Sequence, residues 1–177
     1  VAGMIAAGRG RVAPKTGNVQ SPAGPFFRAA LLNPEIRPFK DASSYAWRKA
    51  EIAAANGQAN ARGIARIYGA VANGGEIDGV RIISPQGIAA ATQEEVRGLD
   101  LVRNVPNGFA RGFALNLEGA YGPNPQAFGH AGAGGSLGFA DSQARLGFGY
   151  AMNQMQINPD DESRAARLVK AAYDCIQ

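Results

Sequence analysis

Residues 128–138, FGHAGAGGSLG, are the most informative segment of the chain. Five of these eleven residues are glycine, and the single histidine of the protein, His130, lies among them. The segment stands between a loop interrupted by prolines and a clear alternating strand. Glycine in a strand costs conformational entropy, and it allows another group to approach the backbone closely. Residues 128–138 are therefore the first place to look for a reactive surface.

Composition and charge narrow the class of protein. The 177 residues are 46% hydrophobic and 18% charged, which is typical of one globular domain rather than a disordered chain. The net charge of +4 is modest, and the 18 basic residues are scattered without interleaved aromatics, so we expect no nucleic-acid partner. No stretch approaches the roughly 18 apolar residues that a membrane span needs. The compartment stays open, with the cytoplasm slightly favoured.

The single cysteine bears on redox and metal chemistry. Cys175 has no partner for an internal disulfide, and no spacing of cysteine and histidine suggests a zinc site. We interpret Cys175 as a small residue on a terminal helix. The sequence thus predicts no metal and no organic cofactor.

The first 45 residues differ from the rest of the chain. Glycine and proline recur through residues 1–45, and both break helices and strands. We predict an irregular segment there, with a short helical turn over residues 26–32, packed on a single domain over residues 46–177. Its apolar members are expected to pack on the core, and they are Phe26, Phe27, Leu31, Leu32 and Phe39.

The clearest helix is predicted over residues 60–73. Asn60 can cap its first turn, and Gly74-Gly75 provides its end. Apolar residues recur at the i, i+3, i+4, i+7 spacing of one buried stripe. These residues are Ile64, Ile67, Tyr68 and Val71.

A second helix is predicted to follow a turn and a short strand over residues 78–83. Ser84-Pro85 supplies a cap and a proline at the first helical position. We expect this helix to run to about Val96, with Glu94 and Glu95 near its end.

The pattern then changes to the period of two that strands have. Residues 113–117 and 137–139 alternate, and residues 146–152 form a strand with one bulky face and one very small face, on which another element can pack closely. A last helix is predicted after a cap at Asp160 or Asp161. Its apolar side comprises Ala165, Leu168, Val169, Ala172 and Ile176. The order of elements predicts an α+β fold with helices packed on an antiparallel sheet.

Three interpretations of residues 128–138 stay open on the residues alone. The first is a tight strand entry that needs glycine for backbone geometry only. The second is a nucleotide loop, because Gly132, Gly134 and Gly138 spell G-x-G-x-x-x-G. A dinucleotide loop follows a strand and precedes a helix, whereas here a proline-rich loop precedes and a strand follows. The third is an active-site edge strand whose backbone N–H groups face a substrate carbonyl, with His130 orienting or polarising the substrate.

The chain resembles the serine β-lactamase and penicillin-binding-protein superfamily, and more narrowly the class C β-lactamase-related esterases called family VIII carboxylesterases. The segments that carry the resemblance are AANG at 54–57, ARGIARIYGAVANGG at 61–75, GVRIISP at 79–85, FGHAGAGGS at 128–136 and GFGYAMN at 147–153. The resemblance spans roughly residues 20–177. It implies the C-terminal part of a β-lactamase-like α+β fold and the hydrolysis of an ester or lactam through an acyl-serine intermediate.

The third motif of that family is lysine-threonine-glycine, or a histidine or tryptophan variant, on the strand lining the active site. Its match here is His130-Ala131-Gly132, and the backbone N–H of Ala133 falls where the family places an oxyanion donor. The resemblance thus implies catalytic roles for His130, Gly132 and Ala133, and substrate contacts for Ala131 and Gly134. The literal Lys15-Thr16-Gly17 is rejected, because it precedes the helices and no alternating strand follows it.

The other two motifs of the family are missing. Its nucleophile is the serine of serine-x-x-lysine, and its second motif supplies a tyrosine that assists proton transfer. No serine of this chain is followed by a lysine three positions later, and Tyr150 has the wrong spacing for a tyrosine-x-asparagine motif. We therefore expect the C-terminal part of a longer hydrolase, inactive by itself. The N-terminal part of the same protein is a candidate partner.

His130 also bears on the substrate. The lysine of the usual motif places a fixed positive charge opposite a substrate carboxylate, whereas histidine is mostly neutral near pH 7. The hypothesis therefore favours a small neutral ester over a β-lactam as substrate. Tyr45 and Trp47 either pack a loop on the core or form a wall of the acyl pocket.

Two other classes of protein stay open. One is a non-catalytic ligand-binding module that kept the fold and lost the chemistry. The other is a structural fragment that needs a separate N-terminal chain to complete its sheet, and it predicts an exposed strand edge.

Overall fold

The computed structural model describes residues 5–6, 24–31, 41–155 and 163–176. Its helices are α1 (Phe27–Leu31), α2 (Tyr45–Lys49), α3 (Ala61–Ala72), α4 (Pro85–Thr92) and α5 (Arg164–Asp174). Its strands are β1 (Ile5–Ala6), β2 (Glu76–Ile77), β3 (Val80–Arg81), β4 (Glu94–Asp100), β5 (Val105–Ala110), β6 (Ala114–Leu115), β7 (Phe128–Ala131), β8 (Leu137–Asp141), β9 (Leu146–Tyr150) and β10 (Gln154–Met155).

The central feature is a six-stranded sheet in the order β4-β5-β6-β7-β8-β9, in which every neighbouring pair is antiparallel. Two smaller pairings accompany it. β2 and β3 form an antiparallel hairpin, and β1 lies parallel to β10. Helices on an antiparallel sheet confirm the predicted α+β fold, since a meander of sequential strands leaves both faces free for helices.

On one face of the sheet, glycines of β8 and β9 form the surface on which α3 packs. A Cβ at Gly147 would overlap the backbone of Gly69 in α3, and a Cβ at Gly149 would stand 2.5 Å from the Ala61 carbonyl oxygen. The small face that the sequence predicted for the strand over residues 146–152 is thus the surface on which the predicted helix packs. Asn60 caps that helix as expected, with its side chain accepting a hydrogen bond from the Gly63 N–H at 2.9 Å.

The opposite face carries an aromatic core under α5. Phe139 is fully buried and stacks with Phe148 at a ring-centroid distance of 5.0 Å and with Tyr121 at 5.9 Å. Tyr173 of α5 completes the stack. Burial of four such rings dominates the packing energy, because each aromatic side chain removes a large apolar area from water.

A buried carboxylate ties α5 to this sheet. Asp141, 1% exposed, accepts hydrogen bonds from the Tyr173 hydroxyl at 2.5 Å and from the Asn124 amide at 2.6 Å. It also accepts hydrogen bonds from the N–H groups of Gln143 and Ala144, each at 3.0 Å, which hold the turn between β8 and β9. Full satisfaction by donors allows an acidic side chain to stay buried.

The predicted second helix is too long. α4 begins after the Ser84 cap as expected, but Gln93 is extended and Glu94 and Glu95 belong to β4. The helix ends because residues 94–100 pair with β5, a long-range contact that local propensity does not report. The predicted strand over residues 80–83 is shorter than expected and consists of β3 alone.

Several predicted core positions are wrong. Ile67 of α3 is 58% exposed, because the glycine face admits only the side of the helix that carries Ile64 and Tyr68. On α5, Leu168 and Ile176 are exposed, while the unpredicted Tyr173 is buried.

The predictions for the first and last helices also need correction. The cap of α5 is Ser163, whose hydroxyl accepts from the Ala166 N–H at 3.0 Å, and Asp160 and Asp161 lie outside the described residues. α1 confirms the helical turn over residues 26–32, although Phe26 is exposed rather than packed. Leu32 and Phe39 lie outside the described residues, as does the side chain of Leu31. The division at residue 45 stays a prediction.

Candidate functional site

The motif His130-Ala131-Gly132 lies where β7 loses one of its neighbours. β7 pairs with β8 along all four residues, but with β6 only at Phe128 and Gly129. β7 is thus the fourth of six strands rather than an edge strand as expected, and only its C-terminal half is open on one side. Beyond it, the Gly132 N–H donates to the Ser136 carbonyl at 2.8 Å and closes a turn back into β8.

The direction of the backbone groups follows from this pairing. N–H and C=O groups of successive strand residues point to alternate sides of the strand. Since the Gly132 N–H points toward β8, the N–H of Ala131 points to the open side, and Ala133 follows in the turn that the Gly135 N–H closes on the Gly132 carbonyl. Among the described residues, the Ala133 N–H has no hydrogen-bond acceptor. The arrangement therefore offers a solvent-accessible backbone donor at the position that the sequence predicted.

The imidazole of His130 stands beside this donor and is exposed. Its Nδ1 lies 2.6 Å from the carbonyl oxygen of Ala131. Its ring stacks on Phe109 of β5, with centroids 6.3 Å apart and planes inclined by 24°. The structure thus places four neighbouring residues together on the surface, and they are His130, Ala131, Gly132 and Ala133. Burial of His130 would have contradicted its role in a site, and His130 is exposed.

Phe109 was missed by the sequence analysis. β5 was not predicted, because Pro106 disfavours a strand at these positions. Val105 and Phe109 lie on the same face of β5, but the polar Asn107 stands between them, so the sequence carries no apolar alternation that identifies this strand.

Two of the glycines in this segment have local structural reasons. Gly134 has a φ of +82°, and a Cβ there would meet Met155 of β10 at 2.5 Å. Gly129 faces Phe139 of β8 so closely that a Cβ would lie 2.6 Å from the Phe139 Cβ. Glycine therefore serves the turn and the sheet packing, and it leaves the open side of β7 uncovered.

Tyr68 of α3 supports the same strands from the glycine face. Its ring contacts Gly138, the residue paired with His130 across β7 and β8. Burial raises the pKa of the Tyr68 phenol above its usual value of 10.0. This tyrosine is therefore neutral at physiological pH, and it brings no charge to the site.

Tyr45 and Trp47 lie on α2, a short helix capped by the Ser44 hydroxyl. Tyr45 is 72% exposed, and the Trp47 carbonyl accepts a hydrogen bond from the Asn56 amide at 2.8 Å. Within the part of the chain that the structure describes, no hydrogen bond or ring contact connects either residue to His130 or Ala133. Their role in a substrate pocket stays a prediction.

Two surface cavities lie away from His130. One, of about 380 Å³, lies between β9 and α5 and is lined by Tyr150, Arg164, Arg167 and Leu168. The other, of about 510 Å³, lies beside α3 and the β2–β3 hairpin and is polar. Neither is lined by residues 130–134. Over the described ranges, no cluster of three or more His, Cys, Asp or Glu residues could hold a metal, and no helix is long and apolar enough to cross a membrane.

A comparison with known families matches residues 6–173 of the chain to the family described as Beta-lactamase. The chain belongs to the beta-lactamase family. This match confirms the predicted resemblance, and it spans the sheet and the helices on both of its faces.

Solved beta-lactamase-like structures share this fold. A family VIII carboxylesterase is 53% identical, with a TM-score of 0.79 over 84% of this chain and 40% of that chain. A penicillin-binding protein (PBP) homolog from Caulobacter crescentus is 41% identical, with a TM-score of 0.72 over 84% of this chain and 39% of that chain. EstA from Arthrobacter nitroguajacolicus Rue61a is 32% identical, with a TM-score of 0.58 over 67% of this chain and 32% of that chain.

A curated relative carries both activities in its name. The esterase/beta-lactamase LipL of Mycobacterium tuberculosis (strain ATCC 25618 / H37Rv) is 42% identical over 107 residues, which are 60% of this chain and 24% of LipL. The chain thus spans about a quarter of this relative, and about two fifths of the carboxylesterase and of the PBP homolog.

Proposed function

We propose that this chain lines the active site of a serine hydrolase. The complete hydrolase cleaves small carboxylic esters through an acyl-serine intermediate. Membership of the beta-lactamase family supports the reaction class. The names of the carboxylesterase and of LipL support esters among its substrates.

The observation that carries the proposal is the N–H of Ala133, which has no acceptor among the described residues and lies in the turn directly after β7. In acyl transfer, negative charge develops on the carbonyl oxygen of the substrate, and a fixed N–H donor stabilises that charge. Such a donor needs no reorganisation when it is held by a strand and a closed turn, as Ala133 is held beside β7 and β8. Removal of one oxyanion donor lowers turnover by about 10²- to 10³-fold in hydrolases that use this chemistry.

The nucleophile of the proposed reaction comes from outside these residues. All seven serines of the chain lack a lysine three positions later, and they are Ser21, Ser43, Ser44, Ser84, Ser136, Ser142 and Ser163. Without an activated serine and its base, the acyl-enzyme does not form. We therefore expect the 177-residue chain alone to be inactive and to act together with the N-terminal part of the same protein.

The substrate class follows from His130. This exposed residue lies three positions before the Ala133 donor, where it brings an imidazole in place of the permanently charged ammonium group of a lysine. A neutral group gives a substrate carboxylate no fixed charge to pair with, and it tolerates an uncharged ester. The proposal therefore favours esters over β-lactams that carry a carboxylate.

A chimera tests this proposal. This chain replaces the aligned two fifths of the family VIII carboxylesterase, to which it is 53% identical. We expect the chimera to hydrolyse a short-chain nitrophenyl ester in a reaction blocked by a serine reagent. Ala133→Pro, which deletes the N–H, should lower kcat by about 10²- to 10³-fold.

Two controls make the result interpretable. Ala133→Gly keeps the N–H and should keep most of the activity, and circular dichroism of each variant verifies that it is folded. A folded chimera without turnover, or a folded Ala133→Pro variant with full turnover, would contradict the proposal. Turnover by the isolated chain would contradict the need for an external serine.

One observation favours a second candidate, a non-catalytic ligand-binding or structural module with the same fold. Both cavities named above lie away from residues 130–134. A module of this kind predicts ligand binding by the chain and a folded, inactive chimera.

A further inference from the structure

The contact between His130 and its own strand determines where the imidazole carries its proton. A backbone carbonyl oxygen has only lone pairs, so it accepts hydrogen bonds and never donates them. Nδ1 of His130 lies 2.6 Å from the carbonyl oxygen of Ala131. At that distance Nδ1 must carry the hydrogen, because two facing lone pairs would repel each other. In the neutral ring, Nε2 is then the nitrogen with the free lone pair.

The stack on Phe109 holds the ring in this orientation. The two rings are inclined by 24° with centroids 6.3 Å apart, an offset arrangement that limits rotation of the imidazole. Phe109 is half-buried in β5, so it is itself fixed by the sheet. Among the described residues, Nε2 has no hydrogen-bond partner, and the imidazole is exposed. The edge of the ring that carries Nε2 therefore stays available to a ligand.

We infer that Phe109 and the Ala131 carbonyl lock neutral His130 with its proton on Nδ1, so that Nε2 accepts a hydrogen bond from an uncharged substrate bearing an O–H or N–H donor. This inference rests on the proposed function and specifies its substrate class. A carboxylate would bring lone pairs against the lone pair of Nε2, whereas an alcohol or amide group brings a hydrogen. Phe109 is a positioning residue, since it acts through His130.

The tautomer is measurable in the chain itself, because the protein has a single histidine. Nitrogen NMR at about pH 8.5, above the ordinary titration range of histidine, gives well separated resonances for a protonated and a bare ring nitrogen. We expect the couplings to the ring carbon protons to assign the protonated resonance to Nδ1 and the bare resonance to Nε2. A protonated Nε2 would overturn the inference.

Two substitutions test the role of Phe109. Phe109→Leu keeps an apolar side chain but removes the stacked ring, and it should shift the resonances toward the Nε2–H form that free histidine prefers. Phe26→Leu is the matched control, because Phe26 is an exposed ring without a contact to His130, and it should leave the spectrum unchanged. A merely structural contact would leave the tautomer unmoved, so an unchanged spectrum in folded Phe109→Leu would overturn the positioning role.

Three small probes test the acceptor role. Ethyl lactate is neutral and has a hydroxyl, ethyl acetate is neutral and has no donor, and sodium acetate is anionic and has no donor. We expect titration with ethyl lactate to shift the Nε2 resonance more than titration with either of the others. Equal shifts, or a larger shift with sodium acetate, would overturn the acceptor role. These titrations measure no turnover, so failure of this inference is distinct from failure of the hydrolase proposal, which the chimera reports.

Discussion

For a single residue, we propose that the charge carried at position 130 selects between the substrates of the proposed site. In the family that this chain resembles, a lysine at this position places a permanent positive charge near a substrate carboxylate. His130→Lys in the chimera should therefore raise β-lactam hydrolysis relative to short-chain ester hydrolysis. One charge-assisted hydrogen bond of about 1.4 kcal/mol corresponds to about a tenfold change in that ratio.

The ratio of the two kcat/KM values checks this prediction, because changes in folding or concentration cancel in it. His130→Gln is the control, since it is uncharged and should leave the ratio near that of the histidine form. If the His130→Lys and His130→Gln chimeras gave equal ratios, charge at this position would have no role in substrate choice.

The surroundings of His130 show which parts of the site could be predicted from the sequence. His130, Gly132 and Ala133 could be placed together from the sequence, because they are adjacent and a turn of glycines keeps them exposed. Phe109 could not be assigned to the site, because its contact with His130 is made across the sheet. Pro106 also disfavours the prediction of a strand over residues 105–110. Contacts between distant strands depend on register, which no local pattern gives.

At the scale of the element, the close approach of α3 to β9 sets the stability of the fold. Gly147 of β9 faces the Gly69 backbone so closely that a Cβ would overlap it, and backbone cannot rotate away as a side chain can. Gly147→Ala should therefore lower the free energy of unfolding by about 1–3 kcal/mol. Urea unfolding followed by circular dichroism measures this loss.

A matched glycine separates overpacking from a general effect of alanine. A Cβ at Gly57 would meet no heavy atom within 4 Å, and the φ of Gly57 lies outside the left-handed region. Gly57→Ala should therefore change the free energy of unfolding by less than about 1 kcal/mol. Equal stability of the Gly57→Ala and Gly147→Ala variants would mean that α3 can move away from β9 with little loss of folding free energy.

Helix α3 and helix α4 illustrate what local sequence does and does not specify. The bounds of α3 could be predicted, because Asn60 caps its start and Gly74 has the positive φ that ends it. The end of α4 could not, because Glu94 is removed from the helix by its pairing with Ala110 in β5. Local signals set helix ends where caps act, and tertiary pairing sets them elsewhere.

At the scale of the whole molecule, two hydrophobic clusters lie on opposite faces of one sheet. The larger contains Phe139, Tyr121 and Tyr173 under α5, and the smaller contains Val71 and Phe128 under α3. The phenols of the larger cluster are buried, and burial disfavours the charged phenolate. It raises the pKa of Tyr121 from 10.0 to about 12, and it raises the pKa of Tyr173 further, with Asp141 adding to the effect.

These shifts make the fold sensitive to alkali. A pKa that is higher in the folded protein than in the unfolded chain contributes stability that is complete below pH 10, and this stability is lost as pH rises through the folded value of about 12. The melting temperature should therefore fall between pH 10 and pH 12, and Tyr121→Phe should make the fall shallower, because phenylalanine does not ionise. Tyr45→Phe, at a 72% exposed position, should follow the parent curve. Identical curves for the Tyr121→Phe and Tyr45→Phe variants would mean that ionisation of the Tyr121 phenol does not contribute to alkaline unfolding.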